Sequence, residues 1–79
     1  MIEVYAIVST KNGEIYVGIA KSAEKRLKEH NFGKNRYTKG LKPWKIFHLE
    51  YFPDWSSARV REKYLKSGVG KEYLKLLVP

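Results

Sequence analysis

The chain reads as an α+β domain: a three-stranded antiparallel sheet flanked by helices, in the order β-β-α-β-α-α. Two observations predict this. Strand-type alternation occupies residues 2–9 and 44–52, and an Asn-Gly turn signal follows the first of these runs. Two basic stretches, each opened by a good helix cap, lie after the second strand and after the third. No repeat, low-complexity tract or linker interrupts residues 1–79, so a single domain is expected.

In residues 2–9, Ile2, Val4, Ala6 and Val8 point one way, and Glu3, Tyr5, Ile7 and Ser9 the other. Asn12-Gly13 suits a two-residue type I′ turn, and residues 14–19 return as the second strand. With Lys11 opposite Glu14, Ser9 faces Tyr16 and Ile7 faces Gly18. Tyr5 and Tyr16 then share a face, but they stand on the order of 13 Å apart, too far to act on one atom from the hairpin alone. The first helix is expected to begin at Lys21 or Ser22, with Ser22 as its cap and Ala20, Ala23 and Leu27 as its inward stripe. Asn31 and Gly33 end it. Residues 34–44 read as a basic loop broken by Thr38, Gly40 and Pro43. In the third strand, Trp44 to Phe52, the residues Ile46, His48 and Glu50 alternate against Phe47, Leu49 and Tyr51. Pro53 closes it, and a second helix starts near Asp54 or Ser56. Gly68 and Gly70 read as breakers before a short last helix, Lys71 to Leu77.

Charge is the strongest compositional signal. Sixteen Lys and Arg oppose eight Asp and Glu, a formal net charge of +8, and no acidic side chain occurs between His30 and Leu49. Such a basic stripe is the footprint of a polyanion binder, with nucleic acid as the expected partner. An acidic membrane fits less well, because no basic helix carries a strong apolar face. The chain has no cysteine, which removes disulfides and thiolate metal sites and fits a reducing cytoplasm. No apolar run is long enough to span a bilayer and the N-terminus does not read as a targeting peptide, so a soluble, complete cytoplasmic chain is expected.

Two features carry chemistry. Arg26 and His30, four residues apart, share one helical face, and a guanidinium beside an imidazole suits a phosphate. The second helix sets Trp55, Ala58, Leu65 and Val69 on one stripe, and the missing member of that series is Glu62. A carboxylate within an inward stripe requires a cation, a hydrogen-bond network or a wet cleft. A structural ion pair with Arg26 or Arg59 is the plain alternative. His48 reads as an ordinary strand residue, and Trp44 and Trp55 as packing residues.

Taken together, the segments resemble the GIY-YIG nuclease superfamily, and most closely its small single-domain members. Glu3-Val4-Tyr5 falls on the first motif, with Glu in place of Gly, and Tyr16-Val17-Gly18 on the second. Gly18 to Gly33 is similar to the Gly…Arg-x-x-x-His-Asn-x-Gly signature, with Arg26 and His30 on the matching positions. Thr38-Lys39-Gly40, Pro43-Trp44 and Arg61-Glu62-Lys63-x-Leu65-Lys66 match the later segments. Many nucleases of the superfamily carry an Asn after the metal helix; this chain has none beyond Asn35, and Lys71, Glu72 and Lys75 are the polar residues available there.

The resemblance implies metal-dependent hydrolysis of DNA phosphodiester bonds, structure-directed and serving repair or recombination. The implied catalytic set is Tyr5, Tyr16, Arg26, His30 and Glu62, with Glu62 holding Mg²⁺ or Mn²⁺. Tyr5 is the implied base or water-positioning residue, with His30 as the alternative base. Lys34, Arg36, Lys39 and Lys42 are expected to contact phosphate. A protein partner or a homodimer is expected to direct so small a nuclease to its substrate. The competing readings are a catalytically silent nucleic-acid-binding module of the same fold, and an RNA-associated protein with aromatic side chains exposed on the sheet.

Overall fold

The computed structural model describes all 79 residues. Strands β1 (Ile2–Ser9), β2 (Ile15–Ala20) and β3 (Trp44–Phe52) form one antiparallel sheet in the order β2-β1-β3. Helices α1 (Ala23–Phe32) and α2 (Arg36–Lys39) lie between β2 and β3, and α3 (Trp55–Lys66) and α4 (Gly68–Lys75) complete the chain. No helix is long and apolar enough to cross a membrane.

The alternation along β1 sorts its side chains as the sequence predicts. Ile2, Val4 and Ala6 join Val17, Ala58, Leu65 and Leu74 in a core beneath α3 and α4. Tyr5 and Ile7 join Ala20, Ala23 and Trp44 beneath α1. Helices therefore pack on both sides of the sheet, although Tyr51 of β3 stays exposed, as the RNA-associated reading would need.

The hairpin differs from its expected form. Gly13 has φ 81°, but Asn12 does not have positive φ, so there is no type I′ turn. The connection is instead a longer loop, closed by Ser9 N–H donating to the Glu14 carbonyl at 2.8 Å and Gly13 N–H donating to the Ser9 carbonyl at 2.9 Å. The Ser9 hydroxyl accepts from the N–H groups of Lys11 and Asn12, which stabilises that loop over the tighter turn. The register moves by two residues as a result: Ile7 lies opposite Tyr16, and Tyr5 opposite Gly18. β3 also departs from simple alternation. Ala6 pairs with His48 and Ile7 with Ile46, leaving Phe47 as a bulge. Ile46 consequently packs on the α1 side, while His48 reaches Tyr73 of α4 on the other.

The helix caps follow the sequence. Ser22 accepts from Lys25 N–H and Asp54 from Ser57 N–H, and Gly33 ends α1 with φ 84°. Three expectations fail. Residues 34–44 are not all loop, because Asn35 caps the short helix α2 by accepting from the N–H groups of Tyr37 and Thr38. Gly68 and Gly70 do not break the chain ahead of the last helix; Ser67 caps α4 and both glycines lie inside it. A Cβ on Gly70 would collide with the α3 backbone at Tyr64 and Leu65, so this glycine permits the close α3–α4 turn. Finally, Trp55 and Val69 are exposed rather than inward, at the ends of a stripe whose buried members are Ala58, Glu62 and Leu65.

Candidate functional site

The five residues singled out in the sequence line one cleft at the free edge of β2. One end, a recess of about 150 Å³, is lined by Tyr5, Tyr16, Arg26, Glu29, His30 and Lys34, together with Asn35. The other end is lined by Tyr5, Tyr16, Arg26 and Glu62, with Gly18, Trp55 and Arg59 beside them. Tyr5, Tyr16 and Arg26 are common to both ends, and His30 and Glu62 close them. Side chains from the two sides of the sheet meet here because α1 and α3 both pass over the edge strand.

The two-residue shift of register brings the tyrosines together. Tyr5 and Tyr16 are diagonal neighbours on adjacent strands, on the order of 7–8 Å apart rather than 13 Å. His30 sits against both, with its ring centroid 4.9 Å from that of Tyr16 and 6.1 Å from that of Tyr5. Its Nε2 lies 3.1 Å from the Tyr5 hydroxyl, and its Nδ1 lies 2.8 Å from the hydroxyl of Thr38. Gly18 makes the Tyr5 position available: a Cβ there would sit 2.5 Å from the Tyr5 hydroxyl oxygen. Glu3, the departure from the first motif, accepts a hydrogen bond of 2.8 Å from Ala23 N–H, and so ties β1 to the start of α1.

The protonation pattern follows from burial. Burial, and then the neighbouring Tyr16, push the Tyr5 hydroxyl up to about 12. Burial also holds His30 below its ordinary 6.5, helped by the positive charge of Arg26. At neutral pH both groups are therefore uncharged. Arg26 is half-exposed at the mouth of the cleft, 3.0 Å from Glu29 in an (i, i+3) ion pair. An exposed pair of this kind is weak, so the guanidinium is free to exchange Glu29 for a phosphate.

Glu62 is only 7% exposed. Its partners are Lys66 at 3.0 Å and Arg59 at 3.6 Å, both on its own helix and both half-exposed. The ion pair with Arg59 is thus present, and that with Arg26 is not. No group of three or more His, Cys, Asp or Glu side chains stands close enough to cage a metal ion. A single carboxylate beside an open cleft fits Mg²⁺, an ion that usually needs only one or two protein carboxylates.

Other expectations divide. Lys34 lines the cleft. Arg36, Lys39 and Lys42 are exposed but do not line it; Lys39 and Lys42 instead gather near Gly33 at the C-terminal end of α1. Lys71 lies in a groove with Tyr16, Tyr37 and Lys66, next to the cleft. Trp44 is buried as a packing residue, but Trp55, half-exposed, stands at the cleft mouth. His48 bonds Glu50 at 2.6 Å, and Arg61 grips the same carboxylate through two bonds, so that cluster is internally satisfied. Gly18 and Thr38 fall within matched motif segments, but nothing in the sequence showed that Gly18 makes room for Tyr5 or that Thr38 contacts His30. Their effects depend on strand pairing and on a helix of four residues.

Residues 1–74 match the model of the GIY-YIG catalytic domain. The chain belongs to the GIY-YIG family, a nuclease superfamily. It is 39% identical to a UPF0213 protein of Staphylococcus saprophyticus over 90% of this chain and 88% of that one. A UPF0213 protein of Clostridium perfringens is 35% identical over 90% and 77% of the respective chains. The solution structure of a UPF0213 protein from Bacillus halodurans is also similar, with 31% identity and a TM-score of 0.55 over 98% of this chain and 85% of that one.

Proposed function

We propose that the chain is a metal-dependent DNA endonuclease that nicks phosphodiester bonds in branched or damaged duplexes, in repair or recombination. The observation that supports it is the meeting of Tyr5, Tyr16, Arg26, His30 and Glu62 in one cleft, from β1, β2, α1 and α3. Glu62 would hold Mg²⁺ or Mn²⁺; the ion, when bound, supplies charge neutralisation at the scissile phosphate and the leaving oxygen. Arg26 leaves Glu29 and grips a non-bridging phosphate oxygen with its planar fork. Tyr5 orients the attacking water.

Magnitudes limit what Tyr5 does. With its hydroxyl at about 12, a free tyrosinate at pH 7 costs on the order of 7 kcal/mol. Tyr5 therefore does not wait as an anion. Its oxygen takes the proton of water as its own proton passes to Nε2 of His30, 3.1 Å away. Lys34 and the lysines near Gly33 add affinity without choosing sequence.

The decisive experiment incubates the chain with linear, nicked, flap and four-way DNA, with Mg²⁺, with Mn²⁺ or with EDTA. Metal-dependent nicks concentrated on a branched substrate are expected. Salt-sensitive binding to every DNA with no nick in any condition would instead leave the silent binding module. One observation favours that second reading: Glu62 already has two cationic partners.

A pH profile follows from His30. Its folded value lies below 6.5, so the neutral ring survives as pH falls through 6.5, and the nicking rate is expected to hold there and fall only further down. Stability runs in parallel. Between 6.5 and the lower folded value the unfolded chain binds the extra proton, so stability falls as pH drops through that window. Above 6.5 His30 contributes no slope. Urea midpoints measured together with the His30 NMR titration check both; a rate that falls with a midpoint above 6.5 would exclude His30 as the proton acceptor.

A further inference from the structure

Thr38 lies between two lysine-rich stretches and reads as a loop residue, yet it is completely buried. Three features place it. Asn35 caps α2 by accepting Thr38 N–H at 3.3 Å. The buried indole of Trp44 donates to the Thr38 carbonyl at 2.8 Å. The side-chain amide of Asn31, one residue beyond His30, makes two hydrogen bonds to the Trp44 backbone, its Nδ2 donating to the carbonyl at 3.1 Å and its Oδ1 accepting the N–H at 2.5 Å. The His30 end of α1 and the α2 turn are thus clamped onto the same tryptophan. Both sit far more firmly than a helix of four residues would allow alone.

The Thr38 hydroxyl faces Nδ1 of His30 at 2.8 Å and the Asn35 carbonyl at 3.4 Å. Three protons are shared along the chain Tyr5–His30–Thr38–Asn35, and they can be placed in two ways. In the first, Thr38 donates to the Asn35 carbonyl, His30 Nδ1–H donates to Thr38, and Tyr5 donates to Nε2. Every proton then has a protein acceptor. In the second, Thr38 donates to Nδ1 and Nε2–H donates to Tyr5, and the Tyr5 hydroxyl proton has no protein acceptor. Tyr5 is only 2% exposed, so in the second placement its proton depends on cleft water alone, while the first satisfies it within the protein.

We infer that Thr38 is a positioning residue that holds His30 in the Nδ1–H tautomer, leaving Nε2 as the open acceptor for the Tyr5 proton. The Asn35 carbonyl, which also accepts Lys39 N–H at 2.9 Å, can only accept at this end of the chain, so it favours the Thr38 hydroxyl pointing away from His30. In this arrangement the proton that leaves Tyr5 meets a lone pair rather than an N–H. The tautomer assignment stands on the hydrogen-bond geometry; only its effect on rate rests on the nuclease reading above.

Two measurements test it. Long-range ¹H–¹⁵N spectra of the intact wild-type chain at neutral pH are expected to show His30 Nδ1 protonated and Nε2 bare, with no need of activity. A wild-type ring protonated at Nε2 overturns the inference, whatever the chain cleaves. In single-turnover nicking at saturating DNA, Thr38→Val is expected to slow the step about 10–100-fold with unchanged DNA affinity. Thr38→Ser, which keeps the hydroxyl, is expected to recover the rate and the wild-type tautomer. Equal rates for the valine and serine variants overturn the positioning role. A wild-type chain with the assigned tautomer and no nicking on any DNA would refute the nuclease reading and leave the tautomer standing.

Discussion

Glu62→Gln is expected to reduce metal-dependent nicking to background while leaving DNA binding intact. Gln keeps the shape and loses the charge. If Glu62 holds the ion, this variant would remove the carboxylate that holds it, and several kcal/mol of charge stabilisation at the phosphate with it. Binding is expected to survive because a polyanion would be held by the basic surface, not by this acid. Removing a negative charge from a chain of formal net charge +8 leaves affinity equal or slightly higher. The fold is expected to survive, since Gln keeps the shape of the buried side chain and the lost partners, Lys66 and Arg59, are half-exposed and can turn to solvent. Nicking on a supercoiled plasmid, salt-dependent binding and a urea midpoint read the three quantities separately. Undiminished nicking in this variant would remove Glu62 from the chemistry and restore the plain reading of an ion pair.

Gly18→Ala is the second large effect, and it acts through Tyr5. The added methyl would lie 2.5 Å from the Tyr5 hydroxyl oxygen and 2.6 Å from the ring carbon that carries it. Neither distance is tolerable, and Tyr5 is walled in by β3 and α1, so the ring must rotate away from His30. Overpacking of this kind costs about 1–3 kcal/mol, a serious fraction of the stability of a small domain. The hydroxyl moves with the ring, and nicking is expected to fall far more than the stability loss explains. Comparison with Tyr5→Phe separates the two effects: the phenylalanine variant loses the hydroxyl without the collision. A Gly18→Ala chain as stable and as active as wild type would show that the Tyr5 position described here is not the working one.

Much of this architecture was legible in the sequence, for identifiable reasons. β1 announces itself through alternation, and each face then finds its own core. Ser22, Asp54 and Gly33 mark helix ends because their side chains, or the lack of one, satisfy backbone groups locally. Glu62 was conspicuous as a charge where the period calls for a hydrophobe. The failures share a cause: each was settled by contacts distant in sequence. Gly68 and Gly70 look like breakers until α4 packs against α3. Trp55 looks inward until α3 is placed over an edge strand, where its first turn overhangs the cleft. Thr38 has no periodicity to betray it, and its burial depends on Trp44 and His30 arriving together.

The hairpin loop acts as the setting screw of the molecule. Sliding β2 along β1 by two residues returns every side chain to the face it left, so the apolar pattern, and with it folding, scarcely registers the change. The cleft registers it at once, because Tyr16 then moves a full repeat away from Tyr5 and from His30. Alignment of the two tyrosines is therefore delegated to Ser9 and the residues up to Glu14, a segment that never touches the cleft. Lengthening or shortening that loop by two residues would yield a chain that folds and binds polyanions with its chemistry out of alignment.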